Sequence, residues 1–157
     1  MTALISSLIL AAALHAAPQT DSTKTMMTDL KQFEGHWSGK FDMPSMKMDV
    51  DMKWGHFAAN WAEVSYTYSS PGMTLDYKVL ISPNSEKKNY GVWMFGTGMP
   101  TPDIMEAAMD GKKFNVTHKA DPLLVSFWIE GDKMIMSIGS TAKDSKEQGR
   151  AVLTKVK

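Results

Sequence analysis

The residues most capable of chemistry in this chain are methionines. Met43, Met46, Met48 and Met52 lie close together, Met26, Met27 and Met99 lie elsewhere, and there are 14 Met in all. Thioether sulfur is a soft ligand suited to Cu(I) or Ag(I), and a chain with no cysteine could use it without losing thiols to oxidation. Met46, Met48 and Met52 alternate with polar residues, so they project from one face of an extended strand. Consecutive same-face residues on a strand lie about 6.6–7 Å apart, so these side chains must bend to meet on one ion. The same face continues through Val50 to Trp54, as a core stripe does. Lining of an apolar interior is therefore the first reading of the stripe, and a metal site on Met43, Met46, Met48 and Met52 is the alternative.

Other chemistry is sparse. The histidines are His15, His36, His56 and His118, and the chain contains no Gly-x-Ser-x-Gly, no His-Glu-x-x-His and no glycine-rich phosphate loop. Glu63 shares its strand face with Trp61, Ser65 and Thr67 and reads as a rim or surface carboxylate, since acids are rarely buried. His118 has the parity of Phe114 and Val116, which leaves two roles for it. One is a hydrogen-bonded rim histidine; the other is a haem ligand, which would need neutral imidazole and a large apolar cavity. No convergent set of titratable groups emerges, so neither an enzyme nor a cofactor is expected. The absence of Cys excludes disulfides and thiolate sites. Seventeen basic against 17 acidic residues give zero formal charge, which argues against a nucleic-acid partner and against a polybasic membrane-surface protein.

The elements that hold these residues follow from pattern. A length of 157 residues suits one domain. Residues 4–14, LISSLILAAAL, are too short an apolar run to span a bilayer as a helix, but they have the length of a signal-peptide core. Residues 1–16 are expected to be such a signal and 17–25 a flexible leader, leaving one domain over 26–157. The product would be secreted or periplasmic, with no stable membrane insertion after signal removal. Thr28 is a candidate N-cap of a short helix carrying Leu30 and Phe33, and Gly35 ends it.

From there the period changes to two. In SMKMDVDMKW (45–54), Met46, Met48, Val50, Met52 and Trp54 take one face, and Ser45, Lys47, Asp49, Asp51 and Lys53 the other. Further strands are expected near 36–43, 57–68, 73–82, 88–97, 112–119, 122–130, 132–139 and 147–156. Between them lie turn signals such as Ser70-Pro71-Gly72, Asp110-Gly111 and Gly131-Asp132. Residues 103–109, DIMEAAM, read as a second short helix or a strand-edge loop. This many strands joined by tight turns predict an all-β fold, an antiparallel up-and-down barrel of about 8–10 strands whose closure removes exposed edges.

A resemblance is carried by Phe33-Glu-Gly-His-Trp-Ser-Gly39. Its Gly35-x-Trp37-x-Gly39 resembles the opening of the lipocalin-like (calycin) barrels, and the nitrobindin branch of that superfamily opens similarly. The resemblance implies that Arg150, on the last strand, packs over Trp37 as a cation–π staple where the barrel closes. More specifically, the chain is similar to the secreted bacterial domain of unknown function 1579. That likeness rests on 28–39, the step Gly55–Phe57, and the segment 84–98 with Tyr90-Gly91-Val92-Trp93. It departs where an acidic residue would follow the strand tryptophan: here stand Met94 and Phe95, so nothing resting on that acid carries over. The family's activity is unassigned, and the resemblance speaks for the fold.

A small apolar molecule is the expected partner, bound by a monomer or dimer. Trp37, Met46, Met48, Met52, Trp54, Trp93 and Phe127 are the expected inward lining, with Gly35, Trp37 and Arg150 as structural closure. A structural or protein-interaction barrel without a ligand is the third possibility.

Overall fold

In the computed structural model the described residues are 21–44, 46–118, 120–142 and 146–157. The expected signal at 1–16 and leader positions 17–20 lie outside them. Ten strands form among the described residues: β1 (Gly35–Met43), β2 (Met46–Ala58), β3 (Trp61–Ser70), β4 (Met73–Asn84), β5 (Asn89–Gly96), β6 (Asp103–Asp110), β7 (Lys113–Thr117), β8 (Leu123–Glu130), β9 (Lys133–Ser140) and β10 (Gly149–Lys155). Each pairs antiparallel with the next, and β10 returns to pair with β1, giving a closed up-and-down barrel. Closure gives every strand two neighbours, so no ladder is left to recruit another chain.

The alternation in β2 is realised residue by residue. Met48, Val50, Met52 and Trp54 are buried, while Lys47, Asp49, Asp51 and Lys53 face solvent. The other strands contribute inward residues by the same period, among them Val64, Val79, Ile81, Val92, Phe114 and Met136. Burial of this set is what the closed sheet gains, at roughly 1.5–3 kcal/mol for each large apolar side chain.

Three expectations need correction. Residues 103–109 are neither helix nor loop: β6 fills the gap between β5 and β7, with Met105 and Ala107 buried between Ile104 and Glu106 and Ala108. The alanines favour helix locally, but two ladders of backbone hydrogen bonds outweigh a propensity of tenths of a kcal/mol per residue. Phe57 and Ala58 close β2 rather than open β3, with a register shift between His56 and Ala58. The helix, α1 (Asp21–Leu30), begins inside the expected leader, and a single 3₁₀ turn (Lys31–Phe33) follows it. Thr28 is thus no N-cap; its hydroxyl donates to the Lys24 carbonyl, 2.9 Å away. Met27 and Leu30 anchor the helix on the barrel, and extension into polar residues then costs little, because nucleation is the expensive step.

The two barrel ends differ. At one end β1 begins and β10 finishes, and α1 with the 3₁₀ turn packs across the opening. At the other lie the connections 96–103, 117–123 and 140–149.

Candidate functional site: an apolar cavity

The capped end is built from the opening motif. Gly35 has φ +130°, which strains any other residue, and a Cβ there would meet the Lys155 side chain at 2.5 Å. A Cβ on Gly39 would collide with the Val152 carbonyl oxygen of β10. These glycines let β1 and β10 approach closely, and Trp37 between them is buried, its indole N–H donating to the Phe33 carbonyl at 2.8 Å. The cation over Trp37 is Lys155, its register partner on β10, with Nζ 5.2 Å from the ring centroid. Arg150 is not there. It pairs with Asp42 across the β1–β10 ladder and lies over Trp128, at 5.3 Å, on the outer wall. The expected staple exists, with a different residue: parity places Arg150 on the outside and five positions away from Trp37's partner.

Phe33 is fully buried and plugs the barrel, its ring 5.1 Å from Trp54 and 6.3 Å from Phe114. Tyr90 ties the plug down by donating its hydroxyl to the Met26 carbonyl at 2.9 Å. Burial, helped by the charge of Asp29, pushes the Tyr90 hydroxyl pKa above its ordinary range.

Beyond this aromatic floor lies a cavity of about 190 Å³. Its floor is Trp54, Phe114 and Phe127, its walls include Val64, Val79, Ile81, Val92 and Met105, and towards the loop end it meets Tyr66, Tyr68, Tyr77, Met94, Met136 and Leu123. Among the described residues, no charged side chain lines it. Leu123, a lining residue at the loop end, is 36% exposed.

The three tyrosines form one cluster. Tyr66 and Tyr77 are register partners whose rings stack at 4.9 Å, and Tyr68 meets them edge-on at 5.3 and 6.1 Å. The Tyr66 hydroxyl donates to the Met94 sulfur at 3.2 Å, and that of Tyr68 to the Met136 sulfur at 3.5 Å. At the floor the Trp54 indole N–H likewise donates to the Met52 sulfur, at 3.0 Å. Burial, with the neighbouring phenols adding, pushes the pKa of Tyr66 and Tyr68 well above the usual value, so both are neutral donors under ordinary conditions.

Of the expected lining residues, Trp54 and Phe127 border the cavity. Trp37, Met48 and Met52 are buried but pack under or beside it as core. Met46 is 38% exposed at the end of the β1–β2 hairpin, opposite Met43. Trp93 faces outward: it stands between Leu80 and Ile104 in the ladders, 5.3 Å from Trp61, while its neighbours Val92 and Met94 face the cavity. Its aromatic size suggested a lining role, but parity on β5 puts it on the opposite face.

Met52 does not share one site with Met43 and Met46. Met52 lies opposite Trp37 and Met46 opposite Met43, six residues apart along the strand, or about 20 Å at 3.3 Å per residue. One ion cannot bridge that span. His118 is a rim residue. Its Nε2 lies 2.8 Å from Asp103, and its Nδ1 accepts the backbone N–H groups of Ala120 and Asp121 at 3.2 and 3.1 Å. Both ring nitrogens are therefore engaged, and a 190 Å³ cavity is too small for a haem macrocycle, since sites for much smaller drug-sized ligands already span roughly 300–1,000 Å³. Glu63 is half-buried beside Lys78, at 3.1 Å, on the outer wall.

Sequence reasoning overlooked Tyr66, Tyr68, Tyr77, Met94, Met105 and Met136. The signal was available for β3: if Trp61, Glu63, Ser65 and Thr67 share one face, then Ala62, Val64, Tyr66 and Tyr68 share the other.

No family model matches the chain, and no curated protein matches it. Among solved structures it is similar to the crystal structure of Rv2717c from M. tuberculosis, with a TM-score of 0.56 and 10% identity over 86% of this chain and 98% of that one. At that identity the likeness is one of fold.

Proposed function

We propose that this chain is a lipocalin-like binding protein, akin to the domain of unknown function 1579, that carries a small neutral apolar molecule outside the cytoplasm. The observation that supports this best is the aromatic-floored cavity of about 190 Å³, with no charged lining among the described residues and its partly exposed lining residue Leu123 at the loop end. Size narrows the ligand. An apolar cavity of about 150 Å³ accepts benzene, whereas drug-sized ligands occupy roughly 300–1,000 Å³. The ligand is thus a single ring or a short branched chain, not a fatty acid or a porphyrin. Export as a secreted or periplasmic protein rests on the apolar run at 4–14 and is tested by the N-terminal sequence of protein recovered from the source's extracellular or periplasmic fraction.

Toluene is a suitable first probe. At tenfold excess over its dissociation constant it stabilises the folded state by about 1.4 kcal/mol and raises Tm by roughly 3–6 °C. Filling the cavity with Val116→Phe should abolish that rise. A wild-type protein indifferent to toluene and to other ring-sized probes would leave a solid structural barrel in place of a carrier.

A further inference from the structure

Resting on the binding reading above, the geometry points to a ligand that carries one hydrogen-bond acceptor oxygen, a ketone, aldehyde or ether on a ring-sized apolar body, received by the hydroxyls of Tyr66 and Tyr68. Both tyrosines line the cavity, and both hydroxyls are held by thioether sulfur, at 3.2 Å to Met94 and 3.5 Å to Met136. Sulfur is a weak acceptor, so these donors are kept from being stranded but are not committed. A carbonyl oxygen entering the cavity offers a better partner, and the exchange leaves behind only a thioether, which loses little when unpaired.

The ligand's charge follows from the lining. Among the described residues no cation borders the cavity, so a carboxylate would be stripped of water at a cost that neutral donors do not offset. A quaternary ammonium needs an open box of rings, whereas Tyr66, Tyr68 and Tyr77 fill their own box, with centroids 4.9–6.1 Å apart. A neutral molecule with one acceptor uses what is present: an apolar floor of Trp54, Phe114 and Phe127, and the phenolic donors of Tyr66 and Tyr68 among the lining residues.

Acetophenone and α-methylstyrene test this, because they share shape and differ in a C=O against a C=CH2. Affinities of both are measured by calorimetry for wild type and for the Tyr66→Phe/Tyr68→Phe double variant, whose fold is checked by near-UV dichroism and Tm. The expected result is a loss of about 3- to 10-fold for acetophenone in the double variant, with α-methylstyrene unchanged or slightly tighter. If the double variant does not fold, the two single Phe variants are compared in the same way. Equal changes for the two probes, or acetophenone binding unaffected by loss of the hydroxyls, would overturn the acceptor inference while leaving a carrier of plain apolar molecules. Toluene binding with neither larger probe entering overturns it equally. Binding of none of the three overturns the carrier reading itself.

Discussion

The capped end and the loop end of this barrel use the same residue types to opposite effect. At the capped end, the residues that hold the helix and the 3₁₀ turn, Trp37 and Tyr90, donate to backbone carbonyls, those of Phe33 and Met26, at 2.8 and 2.9 Å. Trp54, on the cavity floor between the two ends, already donates to sulfur, that of Met52, at 3.0 Å. At the loop end, Tyr66 and Tyr68 donate to methionine sulfur at 3.2 and 3.5 Å. A carbonyl is a strong acceptor that belongs to the chain and stays where the helix puts it. A thioether is a weak one on a flexible side chain. One end is thereby locked and the other kept adaptable, and the space between them is the cavity.

Breaking the lock should have the largest consequence. Phe33→Ala removes a fully buried ring that contacts Trp54 and Phe114, and should cost about 3–5 kcal/mol in urea unfolding, with helix α1 released. A loss under about 1 kcal/mol would mean that the plug is ornamental and that the barrel walls alone carry stability.

The hydroxyls give a sharper version of the same contrast. Tyr90→Phe should cost about 1 kcal/mol and speed amide exchange in Met26–Phe33, because a good hydrogen bond is lost. Tyr66→Phe and Tyr68→Phe should each cost less, because the partner left behind is only sulfur. Equal costs at the two ends would erase the distinction drawn between carbonyl and thioether acceptors.

A smaller effect separates the two cations near closure. Lys155→Ala should destabilise by about 0.5–1 kcal/mol and alter Trp37 fluorescence, whereas Arg150→Ala should leave Trp37 unchanged and act on Trp128 instead. The reverse assignment would restore Arg150 to the closing staple.

Alkaline titration should move both ends together. Tyr66, Tyr68 and Tyr90 all have folded pKa values raised above the unfolded value near 10. Above that value the unfolded chain releases protons that the folded one retains, so the stability these groups contribute is complete below pH about 10 and is lost as pH rises further. Phenolate absorbance should show these three tyrosines ionising only with unfolding. Ionisation of Tyr66 and Tyr68 near the ordinary value in the folded protein would mean that the cavity is wet.

Much of the fold was legible because period two survives in a closed sheet: the stripe from Met48 to Trp54 and the turn signals located nearly every strand. Residues 103–109 were not, since alanine and methionine carry helical propensity and only pairing with β5 and β7 makes them a strand. The site was less legible. Parity decides which face a residue takes, but not whether an inward residue borders open space or packed neighbours. Met52 and Trp54 share a face and a stripe, yet only Trp54 lines the cavity. Trp93 was chosen by residue type and Arg150 by the resemblance, and in both cases parity on the strand was the better guide. Cavity volume is set by how ten strands and a plug meet, and no local pattern encodes it.

The most direct test is a titration of protein labelled with 13C at the methionine methyls, followed by NMR as acetophenone is added. Binding at the loop end displaces the tyrosine hydroxyls from sulfur, so the Met94 and Met136 methyl signals should shift and saturate together, while Met27, buried under the helix at the capped end, should stay in place. A shift centred on Met27, or one spread evenly over all the methionines with no saturation, would contradict a cavity that is locked at one end and receives its ligand at the other.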